Sequence, residues 1–150
     1  MARYAWCSCR AGAAACYSTR WSSSTTWAIS CSHWLSDEQI CKVFHGHFNV
    51  SWLYSSFNVE VSPPLFDTSA NAQELDSMWE DGWQPSLQMM CRRYLNYELD
   101  DTFQMANWRQ RPMPEEMLQY AAIEVQVLLP LHTAIETWRF NTWQDEFLTV

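Results

Sequence analysis

Tyr120 and Glu124, four residues apart near the C-terminus, are the pair in this 150-residue chain whose types and spacing best suit chemistry. They lie in the stretch Trp108-Arg109-Gln110-Arg111-Pro112-Met113-Pro114-Glu115-Glu116-Met117-Leu118-Gln119-Tyr120-Ala121-Ala122-Ile123-Glu124. Pro114 suits a first helical turn, where its missing N–H would have no partner, and Glu115 and Glu116 then complement the positive end of the helix dipole. Met117, Tyr120, Ala121, Leu128, Leu131 and Ile135 recur at helical spacing. Tyr120 and Glu124 fall on or beside that apolar stripe, so Glu124 is expected to point inward. A carboxylate removed from water is unfavourable unless it is paired, hydrogen-bonded or bound to a metal. The plain alternative is a core tyrosine whose hydroxyl satisfies the acid.

Other elements must hold this helix in place. Residues 1–20 read as irregular, and 21–29, with Thr25, Thr26, Trp27 and Ile29, as one strand. Ser36, with Gln39 three residues on, predicts a capped short helix ending before Val43. A strand is expected over 42–44 and a helix over 49–57, with Val50, Leu53 and Tyr54 sharing a face. Pro63 and Pro64 then break the chain before a strand at Leu65 and Phe66. Asp67 or Thr68 can cap a helix running to about Trp79. Asp81-Gly82 marks a turn, and Pro85 opens a helix to about Tyr94 with Leu87, Met90, Cys91 and Tyr94 on one side. The last helix, from Pro114, is expected to bend at Pro130, which lacks a backbone donor.

The formal net charge is −8, unevenly distributed. Residues 1–40 hold three Arg against Asp37 and Glu38, whereas 41–150 hold six basic and fifteen acidic residues. Phosphate binding needs Lys and Arg, so such a chain is a poor non-specific nucleic-acid binder unless it gathers a local patch. Lys42 is the only lysine, which leaves Arg92, Arg93, Arg109 and Arg111 as candidates. No run of 18 apolar residues suggests a membrane span. Five of the six cysteines lie within the first 41 residues without a Cys-x-x-Cys pair. Reduced thiols in an intracellular protein are the expected state; a soft-metal site at Cys7, Cys9 and Cys16 is the alternative. The first 36 residues lack any acid and are rich in Ser, Ala, Trp and Arg. That composition suits a mitochondrial transit peptide, or a segment foreign to the rest through an altered start or reading frame.

Four patches, in order, resemble the RNase D branch of 3′–5′ exonucleases, written Tyr-x-x-x-Asp at its third motif, and especially its exosome-type eukaryotic members. Lys42-Val43-Phe44-His45-Gly46 with Asn49-Val50-Ser51-Trp52-Leu53 is similar to the second motif. Leu65-Phe66-Asp67-Thr68 resembles the strand end that follows. Phe103-Gln104-Met105-Ala106-Asn107-Trp108-Arg109-Gln110-Arg111-Pro112 resembles the loop before the last catalytic helix, and Tyr120 with Glu124 the third motif. Together they cover about 38–137.

The resemblance implies an RNase H-like α/β fold, with a mixed central sheet flanked by helices and incomplete at its N-terminal strands. It implies residues 1–35 as a non-family segment, 36–140 as a partial exonuclease domain and 141–150 as a tail. It implies hydrolysis of a terminal phosphodiester at two Mg2+ or Mn2+ ions, which stabilise the attacking and leaving oxygens together. By position, Tyr120 would orient the attacking water, and Glu124 would bind metal with one methylene more than the family's Asp. Asn49 stands where the family has a second-motif Asp and offers a neutral carbonyl oxygen instead. The Asp-x-Glu of the first motif has no counterpart, since the acids before Glu60 are the adjacent Asp37 and Glu38. His45, Trp108, Arg109 and Arg111 are the nucleic-acid-contact candidates; a turn histidine, a packed Trp108 and acid-paired arginines are the plain alternatives. The expected ligand is single-stranded RNA in the nucleus or cytoplasm, with a protein partner at an exposed sheet edge. The competing readings are a catalytically inactive RNA- or protein-binding module and a truncated gene product.

Overall fold

A computed structural model describes residues 3–6, 32–46, 48–76, 78–79 and 83–148. The elements in order are β1 (Arg3–Trp6), β2 (Ile40–Phe44), α1 (Phe48–Phe57), β3 (Leu65–Asp67), α2 (Thr68–Leu75), α3 (Leu87–Leu95), α4 (Glu115–Gln126) and α5 (Leu128–Leu148). The three described strands are parallel in the order β1-β2-β3, with Tyr4 opposite Cys41 and Val43 opposite Phe66.

The middle strand organises two apolar layers. Neighbouring strand residues face opposite sides of a sheet. Val43 accordingly joins the larger core with Phe66, Ala72, Met90, Cys91, Leu128, Leu131 and Ile135. Phe44 joins Leu35, Leu53 and Val59, against which Val50, Trp52 and Phe57 of α1 also pack. Ile40, Val43 and Phe44 of this strand are buried across both faces, as in a sheet covered on both sides, with Lys42 the polar exception between them. The long α5 is the buttress, touching α2, α3, α4 and β2. Lys42 is fully buried, and its Nζ donates to the carbonyls of Asp37 (2.5 Å) and Ser62 (2.8 Å).

Several local expectations are met. Asp67 caps α2 through the N–H groups of Ser69 and Ala70, and a helix follows Pro85, beginning at Leu87 with Ser86, not named from the sequence, as its cap through Met89 N–H. On α3, Leu87, Met90 and Cys91 are buried together and Tyr94 packs at their side.

Others are corrected. Arg3–Trp6, expected to be irregular, is a strand because β2 offers it a parallel edge. Ser36 does not open a helix: it follows a helical turn at 32–35, donating its N–H to Ser32 C=O (2.8 Å), and the strand begins at Ile40. Tyr54 is exposed, and Trp52 and Phe57 cover Leu53 in its place. Helix α2 stops at Leu75, short of Trp79, because the buried Asp76 adopts extended backbone and turns into a polar network. The last helical stretch breaks at Val127, not at Pro130. Pro130 then falls in the first turn of α5, where its missing N–H costs little. The strand expected over 21–29 and the Cys7, Cys9 and Cys16 cluster lie outside the described residues. Cys41 and Cys91 are free thiols, as expected.

Candidate functional site

Helix α4 begins after Pro114, which supplies no side-chain cap, and carries Glu115 and Glu116 in its first turn. Its inner face buries Met117, Tyr120, Ala122, Glu124 and Val125. Glu124 is 5% exposed, so the inward orientation is confirmed, and Tyr120 Oη donates to Glu124 Oε1 at 3.0 Å. One helical turn separates the two residues, so the bond follows from i, i+4 geometry once both face inward.

The loop before α4 is folded back onto Tyr120. Trp108 is buried with Met117 and Tyr120, and Phe103, Ala106, Met113 and Ala121 pack against this cluster. The Trp108 and Phe103 rings lie 6.0 and 5.9 Å from that of Tyr120, and Trp108 Nε1 donates to Phe103 C=O (3.1 Å). Trp108 is thus a packing residue with its ring covered. The adjoining Arg109 and Arg111 are exposed, with the Arg111 guanidinium donating to the carbonyls of Trp108 (3.0 Å) and Gln110 (2.7 Å). The described ion pairs join Arg92 to Glu98, Arg93 to Asp76 and Arg139 to Glu136. With Lys42 buried, Arg109 and Arg111 are exposed cations on the loop that Trp108 packs against Tyr120, and no described acid pairs them.

His45 and Asn49 meet at the end of β2. Asn49 Nδ2 donates to the carbonyls of His45 (2.8 Å) and Gly46 (3.1 Å), and His45 Nδ1 lies 2.9 Å from Thr68 Oγ1. His47 lies outside the described residues. The structure therefore joins Tyr120, Glu124 and Trp108 on α4 and its loop, and His45 with Asn49 at the strand end.

A pocket of about 280 Å³ opens beside Tyr120, lined also by Tyr97, Leu99, Asp100, Phe103, Glu116, Gln119 and Ile123. The sequence reading missed Asp100 and Glu116 as its lining. The available signal was Asp100-Asp101-Thr102, an Asx turn in which the Thr102 hydroxyl and N–H hold the Asp100 carboxyl below its usual range.

A two-metal centre needs several carboxylate oxygens converging on shared ions. Among the described residues no group of three or more His, Cys, Asp and Glu could hold a metal ion. Asn49 spends both amide hydrogen bonds on backbone carbonyls, and Asp67 Oδ1 already accepts from Gly46 N–H, Ser69 N–H and Ser69 Oγ. The described donor set does not fit a two-metal centre.

Residues 3–138 match the sequence profile of a 3′–5′ exonuclease family. The chain belongs to that 3′–5′ exonuclease family. It is 35% identical over 119 residues to Exosome complex component 10 of Mus musculus, covering 77% of this chain and 13% of the mouse protein. It is 29% identical over 102 residues to Ribonuclease D of Haemophilus influenzae, covering 68% of this chain and 25% of that enzyme. The chain thus spans only a small part of the curated relatives it matches. Among solved structures, the catalytic core of RRP6 from Trypanosoma brucei superposes with a TM-score of 0.61 at 32% identity, over 72% of this chain and 28% of that one. NrnC of Brucella melitensis with bound Mg2+ shares the fold, with a TM-score of 0.62 at 22% identity over 75% of this chain and 52% of that one. The fold of this exonuclease-family chain is therefore RNase H-like α/β, as expected, and its three described strands are parallel.

Proposed function

We propose that this chain is a 3′–5′ exonuclease-type domain that binds the 3′ end of single-stranded RNA and turns it over slowly or not at all. One observation carries the reading. Trp108 pins a loop bearing the exposed Arg109 and Arg111 against Tyr120, the residue hydrogen-bonded to the third-motif acid Glu124. In a chain of net charge −8, two exposed guanidinium groups that no described acid pairs, on the loop packed against Tyr120, are where phosphates would gather. Arg109 and Arg111 hold phosphates on this reading, His45 contributes from the end of β2, and Trp108 supports the loop from beneath. Tyr120 and Glu124 keep their family positions, while Mg2+ or Mn2+, the family's ions, lack among the described residues the ligands to work as a pair.

Residues 36–140 would carry this role, in the nucleus or cytoplasm, with mitochondrial import as the alternative for the N-terminal segment. Among the described strands, β1 and β3 are the outer ones, at which a protein partner would add. A truncated product without function is disfavoured by the described interior, where no buried side-chain polar atom lacks a hydrogen bond.

The test is digestion of 3′-labelled and 5′-labelled single-stranded RNA with Mn2+, Mg2+ or EDTA, alongside a binding measurement on the same RNA. Retained binding with shortening no greater than in EDTA is expected. Metal-dependent 3′ shortening that disappears in Glu124→Ala would show a working nuclease and refute the low-turnover part. Failure to bind RNA at all would refute the rest.

A further inference from the structure

The strongest non-catalytic feature of the molecule is the corner where β2 and β3 end side by side. Asn49 Nδ2 reaches back one helical turn to the carbonyls of His45 and Gly46. Gly46 holds the turn with φ +85°, a region that disfavours any side chain. Its N–H donates to Asp67 Oδ1 (2.9 Å), and the same oxygen accepts from Ser69 N–H (3.0 Å) and Ser69 Oγ (2.9 Å). His45 meets Thr68 across the gap, and Thr68 and Ser69 are buried. Strand end, turn and helix cap form one hydrogen-bonded unit.

The direction of these bonds decides what position 49 can be. Here the side chain must give protons to two carbonyl oxygens 2.8 and 3.1 Å away. An amide can do this. A carboxylate has no proton to give at neutral pH and would face both oxygens in repulsion. The residue that suits this turn is thus the one that a family metal site does not use.

We propose that this corner is a metal-independent latch, with Asn49 as the positioning residue that fixes the His45–Gly46 turn by hydrogen bonds alone. Resting on the RNA-binding reading above, it follows that RNA engages this chain without a divalent ion.

The experiment is thermal unfolding of the full chain and of Asn49→Asp and Asn49→Ala, each in Mn2+ or EDTA, with bound Mn2+ counted by electron paramagnetic resonance. Wild-type protein is expected to melt at the same temperature in both solutions and to bind no stoichiometric Mn2+. Asn49→Asp is expected to melt roughly 4–8 °C lower, the shift for a pair of lost hydrogen bonds in a chain of this size, with no recovery in Mn2+. Asn49→Ala should fall less, because it removes the bonds without adding repulsion, and it keeps the test alive should Asn49→Asp fail to fold.

A positioning role also predicts that the Gly46 backbone N–H, followed by hydrogen exchange relative to the rest of the chain, loses protection in Asn49→Asp, whereas an equally destabilising core variant such as Val125→Ala leaves that relative protection in place. One Mn2+ per wild-type chain, lost in Asn49→Ala, would overturn the latch, as would an Asn49→Asp protein as stable in EDTA as the wild type. RNA affinity equal in Mg2+ and EDTA is the expected result for RNA; affinity that needs Mg2+ would overturn the metal-independent part. Absence of any RNA binding would count against the binding proposal alone, because melting temperature and Mn2+ counting judge the latch without RNA.

Discussion

Two carboxylates are buried in this molecule at almost equal depth, Asp76 at 6% and Glu124 at 5% exposure, yet they are held differently. Asp76 ends α2 and gathers partners from elsewhere: Met78 N–H on Oδ1, and Arg93 Nε (3.1 Å) and Tyr94 Oη (3.3 Å) from α3 on Oδ2. The Arg93 guanidinium also lies 4.6 Å from the Trp138 ring centroid, and the Tyr94 ring packs on Trp138, which brings α5 into the network. The Glu124 bond from Tyr120 stays within α4. One acid ties three helices together with charge compensation, while the described hydrogen bond of the other is to a neutral hydroxyl on its own helix. Depth alone does not distinguish a structural acid from a candidate functional one.

Trp108→Ala should produce the largest effect, since it removes the support under Tyr120: about 3–5 kcal/mol in urea unfolding, with loss of RNA binding. If RNA binding survived at full strength, the loop would not be coupled to the Tyr120–Glu124 pair. The two acids can then be set against each other. Asp76→Ala should cost roughly 2–4 kcal/mol, the lower part of the range for breaking a buried pair because Arg93 stays partly solvated. Glu124→Gln should cost only about 1 kcal/mol, because an amide oxygen still accepts from Tyr120. Equal losses in chemical denaturation would erase the distinction.

Alkaline pH probes the Asp76 side from its interior. Burial pushes the Cys91 thiol up to about 11 from 9.0, so the folded chain keeps this proton after the unfolded chain has released it. Its contribution is therefore full below pH 9 and is lost as pH rises from 9 to 11. Cys91→Ala should flatten that limb of the stability curve; an unchanged slope would show that Cys91 is not sealed. The smallest effect belongs to the Arg92–Glu98 pair, exposed on both sides, where Arg92→Ala should shift stability by under about 0.5 kcal/mol.

Much of the candidate site was legible before folding was considered. The i, i+4 spacing of Tyr120 and Glu124 on an apolar stripe gave their helix, their inward direction and their mutual reach. Asp67 was marked as a cap residue by residue type and position, and Pro114 marked the start of α4. Less was legible where a partner element decides. Four residues, Arg-Tyr-Ala-Trp, carry no strand signature of their own, and only the parallel edge of β2 makes them β1. The end of α2 depended on Arg93 and Tyr94, which claim Asp76 from a helix about seventeen residues further along. The Pro130 bend was misplaced because local rules give the penalty for proline inside a helix and not where the tertiary break relieves it.

The sequence by itself determined the family, the periodicity of the helices and the chemical identity of each side chain, including a neutral amide at position 49 and a single lysine. These are properties of residue type and short spacing. Only the tertiary structure decided their use. It buried Lys42 between two backbone carbonyls, covered Trp108 while leaving Arg109 and Arg111 in solvent, and turned Asn49 toward its own chain. The physical reason is that hydrogen-bond direction and access to water depend on neighbours distant in sequence, which no local pattern records.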